Sequence, residues 1–421
     1  MPTHAPLVLI GIGDSAAYRK DVLASIAAKH PVVAVEASVP AWARPYLTRI
    51  ITADLSDTAA VMTAVSRYAI DHPVGGVLAY MEHHVQTAAL IAQHLDLPHS
   101  SPQSMAACRD KALSRRLMAE QQVPSARSMQ ASSPESAAAF ADLLGYPVIV
   151  KPRSQAGSAG VVRADSAAAV REAFEDTSHA SVMNLHRYGP AGVLIEEYLQ
   201  GPEISVETAV LGAGRVRLLA VTRKLPAPAN TTQEYGHLVD ARDPLLHDPA
   251  LLKVIEDAVA AHDITLGVLC IEVKLTPTGP RIVEVNGRLG GDLLPVLVRR
   301  ALGIELAQIA ADLATGAPPR LQPVLQRAAA IAFAYPDRSG TLQQLAVRPG
   351  HEQLQGLERM VLTHTAGAPV SAPPHATLAD RLAHWIVLGS GPDECRSRLA
   401  QAADLLDVQI TRPAYTPACT A

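Results

Sequence analysis

Cys270-Ile271-Glu272-Val273 and, beyond the turn Thr276-Pro277-Thr278-Gly279, Ile282 to Arg288 (IVEVNGR) decide how this chain reads. Two strands, Leu269 to Leu275 and Arg281 to Val285, flank that turn and form a hairpin with acids set inside apolar runs. Alternation places Glu284 and Asn286 on one face of the second strand, with Val283 and Val285 on the other. Glu272 is expected to face them across the hairpin. Carboxylates inside apolar strands are costly unless paired or metal-bound. Two carboxylates and an amide oxygen are hard ligands of the kind Mg²⁺ takes when phosphates and water complete its shell. Arg288, just beyond, suits a transferring phosphoryl group or a developing oxyanion. A hairpin with incidental acids is the bland alternative.

Toward the amino terminus, the strand Gly192 to Tyr198 runs into Ile195 to Glu203 (IEEYLQGPE). An acidic and aromatic strand end followed by glycine and another acid suits a nucleoside. Exposed backbone pairs with an adenine edge, and Glu203 accepts from ribose hydroxyls; an edge strand with solvated glutamates is the alternative. Lys151 closes the strand Pro147 to Lys151, and the loop Pro152 to Gly160 (PRSQAGSAG), with Gly157 and Ser158, follows. A lysine there is a fixed cation for phosphate oxygens, and small residues let backbone N–H groups approach. The order is not that of a Walker loop, in which lysine follows the glycines. Lys111, in Asp110-Lys111-Ala112, opens a charged amphipathic helix running to Gln122; taken alone it reads as a solvated helical lysine.

The first hundred residues alternate strands (Leu7 to Ile12, Pro31 to Glu36, Ile50 to Thr52, Gly76 to Tyr80) with Ala/Val/Leu-rich helices, which predicts a parallel α/β unit. Gly11-Ile12-Gly13-Asp14-Ser15-Ala16, with Glu36 ending the next strand, satisfies a dinucleotide fingerprint. Alone it would suggest a nicotinamide enzyme; a tight strand–helix turn that binds no dinucleotide is the reading favoured by the other motifs. Pro318-Pro319 and Pro323 mark a boundary. Beyond it, residues 327–410 read as a small α+β unit with strands around Ala328 to Phe333 and Met360 to Thr365 and a helix from Asp393 to Leu406. The tail from Thr411 lacks periodicity and is expected to fray.

With 421 residues, the chain can build about two to four compact units. A net charge of −4 without a basic stripe demotes nucleic-acid binding. The amino terminus lacks a charged region before its short apolar run, so neither a signal core nor a membrane span is expected. Cys108, Cys270, Cys395 and Cys419 form no CxxC, which speaks against a disulfide framework or zinc site and for a reducing cytoplasm.

Taken in order, these residues resemble the ATP-grasp superfamily over roughly residues 5–410, and within it carboxylate–amine ligases of the bacterial L-amino-acid (dipeptide) ligase kind. The resemblance implies an ATP-grasp fold in mixed α/β and α+β classes. It divides into a Rossmann-like N-terminal domain (1–104), an ATP-grasp domain (105–322) with a mobile lid at about 130–195, a small C-terminal α+β domain (323–412) and a tail (413–421). It assigns ATP to Lys111, Lys151, Gly157, Ser158, the hinge Glu196, Tyr198 and Leu199, the ribose acid Glu203, and Lys224. Glu272, Glu284 and Asn286 are assigned to Mg²⁺, for which Mn²⁺ can substitute. Glu82, His237 (in Gln233 to His237, QEYGH), Arg288, Gly291 and Asp292 are assigned to substrate. Pro336 to Gly340, Gly367-Ala368-Pro369 and Arg381 to Gly389 (RLAHWIVLG) resemble the small C-terminal domain.

The implied reaction activates a carboxylate as an acyl phosphate and joins it to an amine, with Arg288 stabilising the oxyanion. His237 is expected either to orient a substrate carboxylate or to accept the amine proton. The partners implied are small-molecule acids and amines, with a homodimer as the prior on assembly. A ligase of nucleotide metabolism acting through formyl- or carboxy-phosphate, and a non-catalytic ATP-binding module, are the alternatives.

Overall fold

A computed structural model describes residues 5–155, 157–179, 189–212, 214–227 and 231–411, so the expected tail at 413–421 lies outside the described residues. The amino-terminal unit is a parallel sheet of β1 (Leu7–Ile10), β2 (Val32–Glu36), β3 (Arg49–Thr52) and β4 (Gly76–Leu78), in the order β3-β2-β1-β4. β1 is buried along its whole length because helices cover both faces of a parallel sheet, which explains its unbroken Leu-Val-Leu-Ile run. The carboxyl ends of these strands carry Gly11, Glu36 and the Tyr80–Glu82 segment to one edge.

A second, four-stranded sheet holds β5 (Ser128–Ala131), β6 (Val148–Pro152), β7 (Val162–Ala164) and β8 (Val193–Glu197), in the order β5-β8-β6-β7. Two helices, Pro134–Leu144 and Ala167–His179, close it over its own apolar cluster (Ala137, Ala141, Val148, Val150, Val170, Ile195). That cluster lies in the segment expected to be the lid.

The principal sheet has eight strands. β9 (Glu203–Leu211), β10 (Val216–Lys224), β11 (Gly236–Asp240), β12 (Leu266–Thr276) and β13 (Gly279–Asn286) are joined by three strands from the carboxyl-terminal segment, the first of them β14 (Ala328–Ala334). In that segment, β15 (Gly340–Val347), β17 (Pro369–Val370) and β19 (Leu406–Thr411) make a separate small sheet, whereas β16 (Leu357–Leu362) and β18 (Ala383–Gly389) extend the large one. The order is β13-β12-β9-β10-β11-β14-β18-β16, so strand pairing runs across the boundary expected at residue 322. β14 pairs with β11 on one side and β18 on the other, and Pro318, Pro319 and Pro323 sit in the connection.

Alternate residues of β12 enter different cores. Val268 and Cys270 join the cluster under helices Leu294–Leu302 and Leu306–Ala314, while Leu269, Ile271 and Val273 join that under helix Pro249–Ala261. The last of these helices begins where Asp248 accepts from the backbone amides of Ala250 and Leu251. The amino-terminal helix Ala16–Ala27 is tied to the large sheet's layer by Lys29 and His30 on the buried carboxylate of Asp312 (2.6 and 2.8 Å). Among the described residues no helix is long and apolar enough to cross a membrane.

Candidate functional site

The β12–β13 register sets Glu272 opposite Glu284 and Cys270 opposite Asn286, so the facing inferred from alternation is the observed one. Each acid meets a lysine from a different element. Glu284 Oε1 lies 2.8 Å from Lys111 Nζ, and Glu272 Oε2 lies 3.3 Å from Lys224 Nζ. The Lys224 ammonium is shared with Glu203 and with Glu234, the latter at 2.5 Å. Burial pulls its pKa down, but the three carboxylates win and hold it well above the ordinary lysine value. Burial pushes the Glu272 carboxyl up to about 7; Lys224 opposes this, while Glu203, Glu284 and Glu234 add to it.

Four acids converge where two lysines, Lys111 and Lys224, touch them, with Lys274 meeting only Glu203 from the outer side (3.2 Å). That excess of carboxylate fits a divalent cation, whose charge would offset the repulsion at Glu272. Asn286 donates its Nδ2 to the Cys270 carbonyl (3.2 Å), which leaves its Oδ1 as the acceptor a cation needs.

Lys111 is not the solvated helical lysine of the bland reading. Besides Glu284, it donates to the Gln155 carbonyl at 2.8 Å, joining the helix Lys111–Glu120 to the loop after β6. One turn on, Arg115 clamps both oxygens of Glu196 (2.8 and 3.1 Å) and donates to the Val283 carbonyl at 2.7 Å. Lys151 meets the same Glu196 at 2.7 Å. Burial raises the Glu196 pKa, yet the Arg115 and Lys151 cations outweigh it and bring it to about 2. Glu196 therefore serves as the buried counter-ion that aims Lys151. Its backbone is also taken, because β8 pairs with both β5 and β6 up to Glu197, so the solvated edge strand weighed as an alternative is excluded. Tyr198 and Leu199 follow the last paired residue and are the part of the hinge whose amides lie beyond the ladder. Arg115 was missed in the sequence; its signal was the i, i+4 spacing from Lys111 on one helix face.

The loop after β6 turns through Gly157 and Ser158, both left-handed (φ +63° and +58°). A Cβ on Gly157 would stand 2.4 Å from Leu378 Cδ1, so the glycine lets the loop lie against the carboxyl-terminal segment.

His237 occupies β11 and is 1% exposed. Its Nε2 lies 3.2 Å from Glu234 and 3.4 Å from Asp292. Burial lowers its pKa, but hydrogen bonds to Asp292 and Glu234 outweigh that and push it up to about 9. At neutral pH the two acids favour the imidazolium form of the ring. The three side chains bring ligand atoms within 4.8 Å of one another. The raised pKa lies above the unfolded value near ~6.5, so the stability it contributes is complete below that pH and is lost as pH rises through about 9. The urea midpoint is expected to fall between pH 7 and pH 10, and to fall less in His237→Gln; equal slopes would disprove the imidazolium.

Asp292 adopts φ +49° and the next residue, Leu293, φ +62°, two consecutive left-handed non-glycine residues of the kind that surrounding structure must enforce. The enforcing partner is Arg381, 1% exposed, which grips both Asp292 oxygens at 2.8 Å and stacks 3.7 Å over the Phe333 ring. Arg381 lies in the RLAHWIVLG stretch but was not singled out. Glu82 sits on the opposite side, its oxygens 2.6 Å from Arg288 Nε and 3.4 Å from Arg109. Gly291 has nothing within 4 Å of where a Cβ would project, so the space beside Asp292 is open.

At Gly11, Glu36 Oε1 accepts from the turn's own amides, Ile12 at 2.5 Å and Gly13 at 3.3 Å. A Cβ on Gly11 (φ +73°) would meet the buried His84 ring at 2.4 Å. The groups a dinucleotide would use are spent on the turn, which agrees with the favoured, non-dinucleotide reading.

Comparison with known proteins bears on this geometry. Residues 144–296 match the ATP-grasp domain and residues 28–99 the ATP-grasp N-terminal domain. The chain superposes on the crystal structure of an L-amino acid ligase from Bacillus licheniformis with a TM-score of 0.80 at 21% identity, covering 98% of this chain and all of that one. A phosphoribosylamine–glycine ligase of Caulobacter vibrioides is 32% identical over 44% of this chain and 46% of its own length. Human carnosine synthase 1 is 24% identical over 77% of this chain and 40% of its own. The chain thus spans less than half the length of either relative.

Proposed function

Because the chain carries an ATP-grasp domain together with the N-terminal domain of that superfamily, we propose that it is an ATP- and Mg²⁺-dependent carboxylate–amine ligase joining amino acids or amino-acid-like substrates. The observation that carries the reading is the hairpin: Glu272 opposite Glu284, with Asn286 beside them, in a nest of four acids. Mg²⁺ bound there would neutralise the terminal phosphates of ATP as charge shifts toward the leaving ADP.

The chain's own residues supply the rest. Lys151, aimed by Glu196, and Lys111 and Lys224 present fixed ammonium groups along the triphosphate path. The substrate carboxylate takes the γ-phosphoryl group in line and ADP leaves; the amine then attacks the acyl phosphate, forming the C–N bond and releasing phosphate and a proton. Arg288 stabilises the oxyanion of the second step. The His237 imidazolium and the open space at Gly291 favour an acid whose carboxylate is oriented before phosphorylation. Seating the loop at Gly157 against Leu378 would keep water from the acyl phosphate.

Names of similar proteins support the class without choosing the substrates: an amino-acid ligase in structure, a carnosine synthase and a phosphoribosylamine–glycine ligase in sequence. Phosphate release from ATP is expected to rise only when an acid and an amine are both present, with a mass equal to their sum less water. Release supported by bicarbonate or formate without an amino acid would instead select the nucleotide-metabolism alternative, and ATP binding with no release for any pair would select a non-catalytic module.

A further inference from the structure

β9 carries a second acid, Glu207, which takes no part in the nest around the hairpin. It lies in a strand whose seven central residues are all buried, and is itself 0% exposed. The register sets Glu207 beside Cys270 of β12 and Cys270 beside Asn286 of β13. That is the next row, on the same face, after Glu272 and Glu284. A carboxyl group in such a place is costly unless it is bonded. Its Oε2 accepts from the Gly290 amide at 3.1 Å. The chain lies directly on the carboxyl, since a Cβ at Gly290 would stand 2.3 Å from Oε1.

The peptide joining Leu289 to Gly290 is gripped from both sides. Its N–H goes to Glu207, and its C=O accepts from Arg288 Nη1 at 2.9 Å. The two groups of a planar trans peptide point in opposite directions, so fixing the N–H fixes where the C=O can receive the guanidinium. Arg288 Nε, meanwhile, lies 2.6 Å from Glu82. The guanidinium is thus held at one end by Glu82 and at the other by a peptide whose direction Glu207 sets.

We propose that Glu207 is a positioning residue: by holding the Leu289–Gly290 peptide it aims Arg288 at the oxyanion formed when the amine attacks. This rests on the ligase reading. Asn286 is anchored separately, through Nδ2 on the Cys270 carbonyl, so loss of Glu207 should spare the cation site. With Arg288 misaimed, the acid is still phosphorylated but amine attack slows. Water then returns the acyl phosphate to free acid and inorganic phosphate, and ADP formed per amide rises above one.

The test takes an acid–amine pair that releases phosphate and measures ADP and amide together. Glu207→Leu leaves the Gly290 N–H without its acceptor, and an unpaired buried donor predicts amide formation slower by roughly 10–100-fold. The KM for ATP should change little, and ADP should outrun amide. Glu207→Gln keeps an acceptor at the same reach and should restore most of the rate and the one-to-one ratio. In an Arg288→Ala background, Glu207→Leu should cost no more than about twofold further, because it acts through a group already gone. Hydrogen exchange of residues 286–293, followed by mass spectrometry, reads the same hold without turnover and should be faster in Glu207→Leu than in the parent or in Glu207→Gln. Losses that multiply in the double variant overturn the proposal, as does a folded Glu207→Leu protein with the parent's rate and ratio. If no pair releases phosphate but exchange still depends on Glu207, the ligase reading fails and the hold on the peptide stands.

Discussion

Glu272→Gln together with Glu284→Gln is expected to lower ADP formation by at least about a thousand-fold, since stabilisation of phosphoryl transfer by a bound cation is worth several kcal/mol. Both acids lie in the same nest, and Glu272 carries the repulsion of three neighbouring carboxylates that a cation would relieve. The fold should survive, because Lys224 keeps Glu203 and Glu234 and Lys111 keeps the Gln155 carbonyl. Coupled assay of ADP and titration with Mn²⁺ by electron paramagnetic resonance in the presence of ADP check the two halves separately. A double variant that binds Mn²⁺ like the parent, or forms ADP within tenfold of it, would refute the hairpin as the metal site.

The second large effect falls on stability. Arg381→Met leaves the largely buried Asp292 without its bidentate partner, and breaking a buried pair on one side costs up to about 3–5 kcal/mol. The left-handed backbone at Asp292 and Leu293 loses its clamp at the same time. A correspondingly lower urea midpoint is expected for Arg381→Met. The double change Arg381→Met, Asp292→Leu should recover part of the loss, because it leaves no orphaned charge. If the double variant were as unstable as the sum of the single ones, the pair would not be the source of the effect.

The local pattern of the chain made much of this legible. The hairpin strands were expected at Leu269 to Leu275 and Arg281 to Val285, and β12 and β13 contain both stretches. The hairpin acids were placed face to face because alternation fixes which side of a strand each residue occupies. Lys151 was found at its strand end for the same reason. Arg115 and Arg381 were not found. Each is an arginine in ordinary surroundings along the sequence, and its meaning comes from a partner 80 or more residues away, Glu196 for Arg115 and Asp292 for Arg381.

The carboxyl-terminal segment divides the same way. Its strands at Ala328 and Met360 could be read from their apolar runs, but their joining the large sheet depends on β14 finding β11. What this protein's sequence determined by itself was the residue types, their order and the face each presents, since strand alternation and helical spacing are set within a few residues of backbone. Which charge meets which was decided only by the tertiary structure. Strand order and helix docking bring together groups from distant segments, and burial then makes Lys224 a shared counter-ion and favours the protonated form of His237.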